Sequence, residues 1–241
     1  RRALGLALER KQSAMARMLL TAGADPNRSS FYAGSDRKSE FTPIMRAIWN
    51  YDVETVAALI GKGQSALSFS MRTSPYRPLL VAAELRADTP EKEAQKLAIM
   101  DLILSLEPSP LDTSGDGKSA IYAAADGYSS AAVFERLMKL GVFINKPNNY
   151  GQTALFAIGP FQNENAVRTQ SILLGLGANP NQQNYTGATP LIHAFGWTRS
   201  STPTVAAMVA RLLQAGADPN IADNRGHTAL TLAARRAMPD T

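Results

Sequence analysis

A short stretch, DTSGDGKSA at residues 112–120, holds residue types that bind phosphate or calcium in other proteins. Its Gly-Lys-Ser matches the end of a phosphate-binding loop, but such a loop needs a further glycine where this chain has Asp112. A calcium loop that begins at Asp112 needs a glutamate as its twelfth residue, and that residue is Ala123. Each ion site therefore lacks a residue that its chemistry requires.

Other groups that carry catalysis or bind metals are scarce in the chain. It has no cysteine, which excludes disulfides, cysteine nucleophiles and thiolate zinc sites. Its two histidines, His193 and His227, come without an obvious third ligand, and no G-x-S-x-G nucleophile motif occurs. We expect no cofactor, no metal and no enzymatic activity, with His193 structural or exposed and His227 solvated.

The net charge of +5 is concentrated at the N-terminal end, because residues 1–17 hold five basic residues and one acidic residue. A nucleic-acid footprint usually extends along a whole face, so a solvated basic end is the favoured interpretation and nucleic-acid binding the alternative. No apolar run is long enough to predict a transmembrane segment. The first residue, Arg1, is compatible with a removed signal peptide, and the sequence does not decide between a periplasmic and a cytoplasmic location.

The strongest pattern is a repeat built around a glycine. Three close copies are LLTAGADPN (19–27), LLGLGANPN (173–181) and LLQAGADPN (212–220), and two weaker copies are LIGKGQSAL (59–67) and LMKLGVFIN (137–145). Their glycines are separated by 40, 78, 36 and 39 residues. The interval of 78 is about twice the others, so a degenerate copy is expected in between. LILSLEPSPL at 102–111 fits it, with Leu106 at the glycine position.

A second motif follows the same rhythm. Its copies are FTPIMRAI (41–48), YRPLLVAA (76–83), KSAIYAAA (118–125), QTALFAI (152–158), ATPLIHAF (188–195) and HTALTLAA (227–234). Together, T-P-L-H-x-A and L-L-x-x-G-A-D-x-N at this spacing resemble the ankyrin repeat. The resemblance implies an all-α fold, an ankyrin-repeat solenoid of about seven helix-turn-helix units joined by hairpin-like fingers. The expected units of this single domain, residues 1–241, are 1–27, 28–67, 68–111, 112–145, 146–181, 182–220 and 221–241.

The residue types agree with these elements. Thr189 and Pro190 suit a helix start, because the hydroxyl caps an exposed N–H and proline fits the first turn. Gly216 suits the left-handed end of the second helix. In this register Gly117 belongs to a finger turn and Ser119 is an N-cap, so DTSGDGKSA is a finger that leads into a helix.

Insertions distinguish this chain from a regular repeat array. A long finger is expected at 28–41, and extended loops between the two helices are expected at 86–96, 159–166 and 197–204. The three loops occupy the same place in their units, so we expect them along one edge. Such insertions often lie on a binding face, and neutral drift is the alternative.

In ankyrin proteins the fingers and first helices line a concave groove that binds partner proteins. By position, the resemblance assigns the helix ends Trp49, Asn50, Glu84, Leu85, Asp126, Gly127, Trp197 and Arg235 to this groove, together with the finger residues Asp116, Lys118, Tyr150, Tyr185 and Arg225. Trp, Tyr and Arg are enriched in interface hot spots, although the aromatic residues could instead pack locally between units.

The function expected from this assignment is the binding of a folded protein partner, with no small-molecule substrate. A narrower hypothesis is a bacterial inhibitor, such as an immunity protein for a toxin or effector. The alternatives are a scaffold or adaptor part of a larger protein, and nucleic-acid binding through the basic end.

Overall fold

The computed structural model describes residues 3–27, 30–31, 40–62, 77–109, 111–158, 164–196 and 203–237. These residues belong to two compact units, Arg1–Gly115 and Asp116–Thr241. Helices dominate both units, as the motifs predict. No helix within the described ranges combines the length and apolar character needed to cross a membrane.

The first unit consists of three helix pairs. Its helices are α1 (Ala3–Glu9), α2 (Ser13–Thr21), α3 (Pro43–Trp49), α4 (Val53–Gly61), α5 (Pro78–Glu84) and α6 (Pro90–Leu104). The first helices of the pairs pack in the order α1, α3, α5, and the second helices in the order α2, α4, α6. Two short strands, β1 (Ser30–Phe31) and β2 (Glu40–Phe41), pair antiparallel where the long finger is expected.

The second unit repeats this arrangement. Its helices are α7 (Ala120–Asp126), α8 (Ala131–Lys139), α9 (Ala154–Ala157), α10 (Glu164–Gly175), α11 (Pro190–Gly196), α12 (Pro203–Gln214) and α13 (Ala229–Ala237). The first helices α7, α9, α11 and α13 pack in sequence order, and α10 packs against α12. The predicted helix-turn-helix repeats are therefore confirmed in the described part of the chain.

The predicted helix starts carry the expected caps. The side-chain oxygen of Ser119 accepts a hydrogen bond from the backbone N–H of Tyr122 at 3.3 Å, and Thr189 does the same for Ile192 at 3.3 Å. Ser119 is thus confirmed as an N-cap, because it satisfies one of the backbone donors that the first helical turn leaves unpaired.

Left-handed residues end the second helices. Gly141, Gly177 and Gly216 have φ of 92°, 89° and 86°. In the degenerate copy the prediction is wrong by one residue, because Glu107, not Leu106, occupies this position. Glu107 has φ of 50°, and its N–H donates to the carbonyl of Leu104 as that of Gly216 does to Leu213.

The expected loop at 86–96 is mostly helical. Thr89 caps α6 by accepting from the N–H of Lys92 at 3.2 Å, and Pro90 is the first helical residue. The other two loops also end earlier than expected, since α10 begins at residue 164 and α12 at residue 203. The insertion at 86–96 therefore lengthens the second helix of its repeat.

This longer helix brings a lysine under the end of α5. The side chain of Lys96 is fully buried, and its Nζ donates to the carbonyl oxygens of Ala83 at 2.9 Å and Leu85 at 2.5 Å. Burial lowers the pKa of Lys96 to about 8. Lys96 thereby pairs carbonyls that the end of α5 leaves without helical partners.

Candidate functional site

Three backbone hydrogen bonds join consecutive fingers of the second unit. The N–H of Asn149 donates to the carbonyl of Asp116, and that of Tyr185 donates to Tyr150. The N–H of Asn224 donates to the carbonyl of Thr186. Each bond is 3.0 Å long, so four fingers form one continuous, hydrogen-bonded row. We call the residues at 116–118, 148–152, 184–188 and 223–227 the finger row.

Within three of these fingers a single side chain shapes the turn. The Oδ1 oxygen of the first finger residue accepts from the backbone N–H groups two and four residues later, at 2.8–3.0 Å. These first residues are Asn148, Asn184 and Asp223. Such side-chain bonds favour turns because they replace the backbone partners that a sheet or helix would supply. The sequence analysis did not predict this bonding role.

The tips of the finger row present two aromatic rings to solvent. Tyr150 is 60% exposed and Tyr185 is 72% exposed. The ring of Tyr185 lies over the backbone of Gly151, since a Cβ built on that glycine would come within 2.7 Å of its Cδ1 atom. Exposed rings on a turn that is already hydrogen-bonded offer contact area at a low ordering cost.

Charges flank the tyrosines on both sides. At one side Lys118 Nζ lies 3.3 Å from Asp116 Oδ2 and 5.5 Å from the centre of the Tyr122 ring. Burial, with a smaller effect from nearby carboxylates, raises the pKa of Tyr122 to about 12, so its phenol stays neutral. At the other side Arg225 is exposed on the last finger.

His227 differs from its expected role. Its side chain is half-buried rather than solvated, and Nδ1 lies 3.2 Å from Asp223 Oδ2. This contact ties the end of the last finger to the residue that shapes its turn. The helix-end residues Asp126 and Arg235 of the same unit are half-buried and exposed, respectively.

The first unit carries four of the predicted residues, at the ends of α3 and α5. Trp49 is partly exposed and Glu84 is exposed. Asn50 is half-buried, and its Nδ2 donates to the carbonyl of Leu8 at 2.7 Å, so its side chain joins neighbouring repeats. Leu85 is buried in the core, and its predicted exposure to a partner is wrong.

The last two predicted groove residues are Gly127 and Trp197. Gly127, like Leu85, is buried and does not present a surface to a partner. Trp197 lies outside the described residues. The structure thus brings together Asp116, Lys118, Tyr150, Tyr185 and Arg225 in the finger row, while Trp49, Asn50 and Glu84 belong to the first unit.

A second link between repeats was not predicted. The Asn181 side chain donates to the carbonyl of Gly216 at 2.9 Å and accepts from the N–H of Asp218 at 2.7 Å. Asn145 makes the equivalent pair of bonds to Gly177 and Asn179, at 3.2 and 2.8 Å. The final asparagine of the G-A-D-P-N motif therefore forms hydrogen bonds to the same motif of the following repeat. The recurrence of this asparagine in the sequence is the signal from which the link could have been predicted.

Comparisons with known proteins agree with this architecture, although no protein-family model matches the chain. An ankyrin repeat domain from Acinetobacter baumannii AYE superposes with a TM-score of 0.60 and 25% identity, over 89% of this chain and 98% of that one. Ankyrin repeat, SAM and basic leucine zipper domain-containing protein 1 of Eulemur macaco macaco is 28% identical over 169 residues, which are 70% of this chain and 34% of the relative.

A further relative is the inactive serine/threonine-protein kinase TEX14 of Bos taurus, which is 29% identical over 99 residues, or 41% of this chain and 6% of that protein. The chain thus spans about a third or less of the curated relatives that it matches. The repeated motifs, the stacked helix pairs and the similarity to an ankyrin repeat domain show that the chain has an ankyrin-repeat fold.

Proposed function

We propose that the chain is a non-enzymatic module that binds a folded protein partner through the finger row of its second unit. The observation that carries the proposal is the pair of exposed rings, Tyr150 and Tyr185, on fingers fixed by backbone hydrogen bonds. Aromatic residues on a rigid surface lose little conformational entropy when they are buried, which favours a preformed protein interface. Asp126 and Arg235 are proposed as additional contacts at helix ends of the same unit. Trp49 and Glu84 are proposed separately as contacts at the helix ends of the first unit.

The charged residues beside the rings differ between the two sides of the proposed interface. Arg225 has no ion pair within the described ranges and can meet an acidic group of the partner. On the other side, Asp116 and Lys118 already pair with each other and are more than a third exposed. Rim charges of this kind set association rate and orientation more than affinity.

Site-specific cross-linking tests where the partner binds. A photoreactive phenylalanine derivative would replace Tyr150 or Tyr185, and Phe143 in the control. Phe143 is 70% exposed and lies on the loop after α8, outside the finger row. We expect one protein to be labelled from both finger positions and not from residue 143. Equal labelling from all three positions, or none from the fingers, would contradict the proposal.

Affinity measurements then test the energetic role of the rings. Once the cross-linked partner is purified, Tyr150→Ala and Tyr185→Ala are each expected to weaken binding by about 5- to 30-fold, which corresponds to roughly 1–2 kcal/mol. Phe143→Ala is the matched control and is expected to leave affinity unchanged. The unfolding midpoint of each variant should stay close to that of the wild type, because the rings are exposed.

We further propose that binding inhibits the partner, as an immunity protein does for a toxic bacterial effector. The bacterial source of the similar ankyrin repeat domain supports a bacterial origin for such a module. Co-purification with the product of a neighbouring gene, and loss of that product's toxicity in the presence of the chain, would test this role. Toxicity that persists with the complex formed would argue against inhibition.

The competing proposal is an adaptor segment of a larger protein. It is favoured by the curated relatives, of which the chain matches about a third or less, and by the additional domains that the name of one relative contains. Nucleic-acid binding through the basic N-terminal end has weaker support, because Arg17 lies 2.7 Å from Glu54 and 3.8 Å from Asp52. Binding that weakens steeply with added salt would be its signature.

A further inference from the structure

Every junction between neighbouring fingers of the finger row uses the same main-chain contact. One finger supplies the carbonyl of the residue that precedes its glycine, and the next finger donates a backbone N–H to it at 3.0 Å. The acceptors are Asp116, Tyr150 and Thr186, and the donors are Asn149, Tyr185 and Asn224, respectively. The three junctions therefore define what kind of group docks beside a finger.

The donor residue also covers the glycine of the preceding finger. A Cβ built on Gly117, Gly151 or Gly187 would lie only 2.7–2.9 Å from the backbone nitrogen of that donor. The side chain nearest to each glycine belongs to the same donor, which is a tyrosine once and an asparagine twice. Glycine at this position thus lets the backbone of the next finger approach closely.

The last finger offers the same two groups without an occupant among the described residues. The carbonyl of Arg225 precedes Gly226 and accepts no hydrogen bond within the described ranges. Gly226 has φ of 79°, as the other finger glycines do, but no atom lies within 4 Å of a Cβ built on it. It is exposed, whereas Gly151 and Gly187 are buried. The turn itself is fixed, because Asp223 accepts from the backbone N–H groups within it.

The helix that follows this finger exposes an apolar residue. Leu230 of α13 is 74% exposed, whereas the residues at the same motif position of α7, α9 and α11 are buried, namely Ile121, Leu155 and Leu191. Each of those helices packs against the first helix of the following repeat. Leu230 therefore occupies the position that a following element covers elsewhere in the unit.

We propose that the partner adds one extended segment to the end of the finger row, in the place that a further finger would take. This inference rests on the proposed function, because it describes how the same partner docks on the same row. The segment donates a backbone N–H to the Arg225 carbonyl and lays an asparagine or tyrosine side chain over Gly226. Leu230 is the adjoining apolar contact. Main-chain hydrogen bonds give such an added segment its affinity, and side-chain contacts give it specificity.

A second copy of the chain fits this end less well than a partner does. The three finger donors that match the site are already bonded within their own row. The first repeat exposes Arg10 and Lys11 directly after α1, and these residues carry the same charge as Arg225. Like charges disfavour stacking of the first repeat of one copy on the last finger of another.

An NMR titration of the ¹⁵N-labelled chain with a synthetic peptide tests the docking chemistry. The peptide has the sequence of the third finger, QQNYTGATP (182–190), and the control peptide carries an N-methyl group on its tyrosine, which removes the donor N–H. We expect the amide signals of Gly226 and His227 to shift with a Kd on the order of 1 mM, because one turn makes few contacts. The N-methyl peptide should bind about 5-fold more weakly.

Gly226→Ala is the matching change in the chain. Its Cβ would occupy the space that the docked segment needs, so the peptide-induced shift of His227 should be lost. Gly177→Ala is the control, because Gly177 has φ of 89°, has no atom within 4 Å of such a Cβ and lies outside the finger row. Equal binding of the two peptides, equal binding by the two variants, or no shift at residues 225–227 would overturn the proposal.

Cross-linking from residue 230 separates this inference from the proposed function. A photoreactive phenylalanine derivative replaces Leu230, and we expect it to label the protein that is labelled from residues 150 and 185. Labelling from 150 and 185 alone would overturn the added segment and leave the proposed function standing. Labelling from 230 alone would support the added segment and contradict the tyrosines as the main contact. Dimers that Gly226→Ala abolishes, measured by sedimentation, would overturn the choice of a partner over a second copy.

Discussion

The backbone N–H of Tyr185 donates to the carbonyl oxygen of Tyr150 at 3.0 Å, so a main-chain bond fixes the spacing of the two exposed rings. The side chains are free to contact a partner, while the backbones that carry them are held by neighbouring fingers. This arrangement separates the groups that bind from the groups that hold the fold. It leads to a prediction about Gly151, the glycine that lies between the two tyrosines.

Gly151→Ala should damage the finger row more than an equivalent glycine change at its end. Gly151 has φ of 76°, and a Cβ there would lie 2.9 Å from the Tyr185 backbone nitrogen. Gly226 has φ of 79° with no atom within 4 Å of such a Cβ, so Gly226→Ala carries only the conformational cost of about 1 kcal/mol. Urea unfolding should show a loss of more than about 2 kcal/mol for Gly151→Ala. Equal losses would mean that the fingers are not tightly coupled.

Glu107→Gly should stabilise the chain. Glu107 is exposed and adopts φ of 50°, at the position where other repeats have glycine. Relief of the left-handed strain exceeds the extra entropy of glycine in the unfolded chain, with an expected gain of about 0.5–1 kcal/mol. Denaturant unfolding measures the gain. The reverse change, Gly177→Ala, has open space around its Cβ and should lose about 1 kcal/mol; an unchanged midpoint in both variants would refute the strain argument.

The sequence predicted the fold well because its strongest signals are local and repeated. Ser119 and Gly216 have roles that follow from their own backbone geometry, so the motifs placed them correctly. The error at Leu106 arose where the repeat lacks its glycine. The fully buried Ile103, which aligns with Leu137 and Leu212, marks the correct register four residues before Glu107.

The candidate site was less predictable, because its geometry depends on contacts between repeats. The Thr89-Pro90 pair is a helix-start signal that could have shortened the expected loop at 86–96. The burial of Lys96 could not have been foreseen, since lysine is rarely buried without a specific partner. The finger row likewise depends on backbone bonds such as Asn149 to Asp116, which no residue type encodes.

Leu191→Ala and Leu230→Ala should differ strongly, although both leucines occupy the same motif position. Leu191 is 1% exposed and belongs to a core cluster with Leu212 and Ala217, whereas Leu230 on α13 is 74% exposed. Truncation of a buried leucine costs about 2–5 kcal/mol, and a change at an exposed site stays within about 0.5 kcal/mol. Thermal and urea unfolding measure both variants. A loss of more than about 1 kcal/mol for Leu230→Ala would show that this face is covered in solution.

His193 should make stability fall as the pH is lowered through the weakly acidic range. Burial lowers its pKa from 6.5 to about 4, so between these values the unfolded chain binds a proton that the folded chain does not. The unfolding free energy therefore decreases from about pH 6.5 towards pH 4, by up to roughly 3 kcal/mol from this residue. His193→Gln removes the titrating group, and its stability should depend less on pH over this window. His227→Gln is the control and should keep the wild-type contribution of His193. Parallel stability curves for wild type and His193→Gln would show that the imidazole titrates normally in the folded chain.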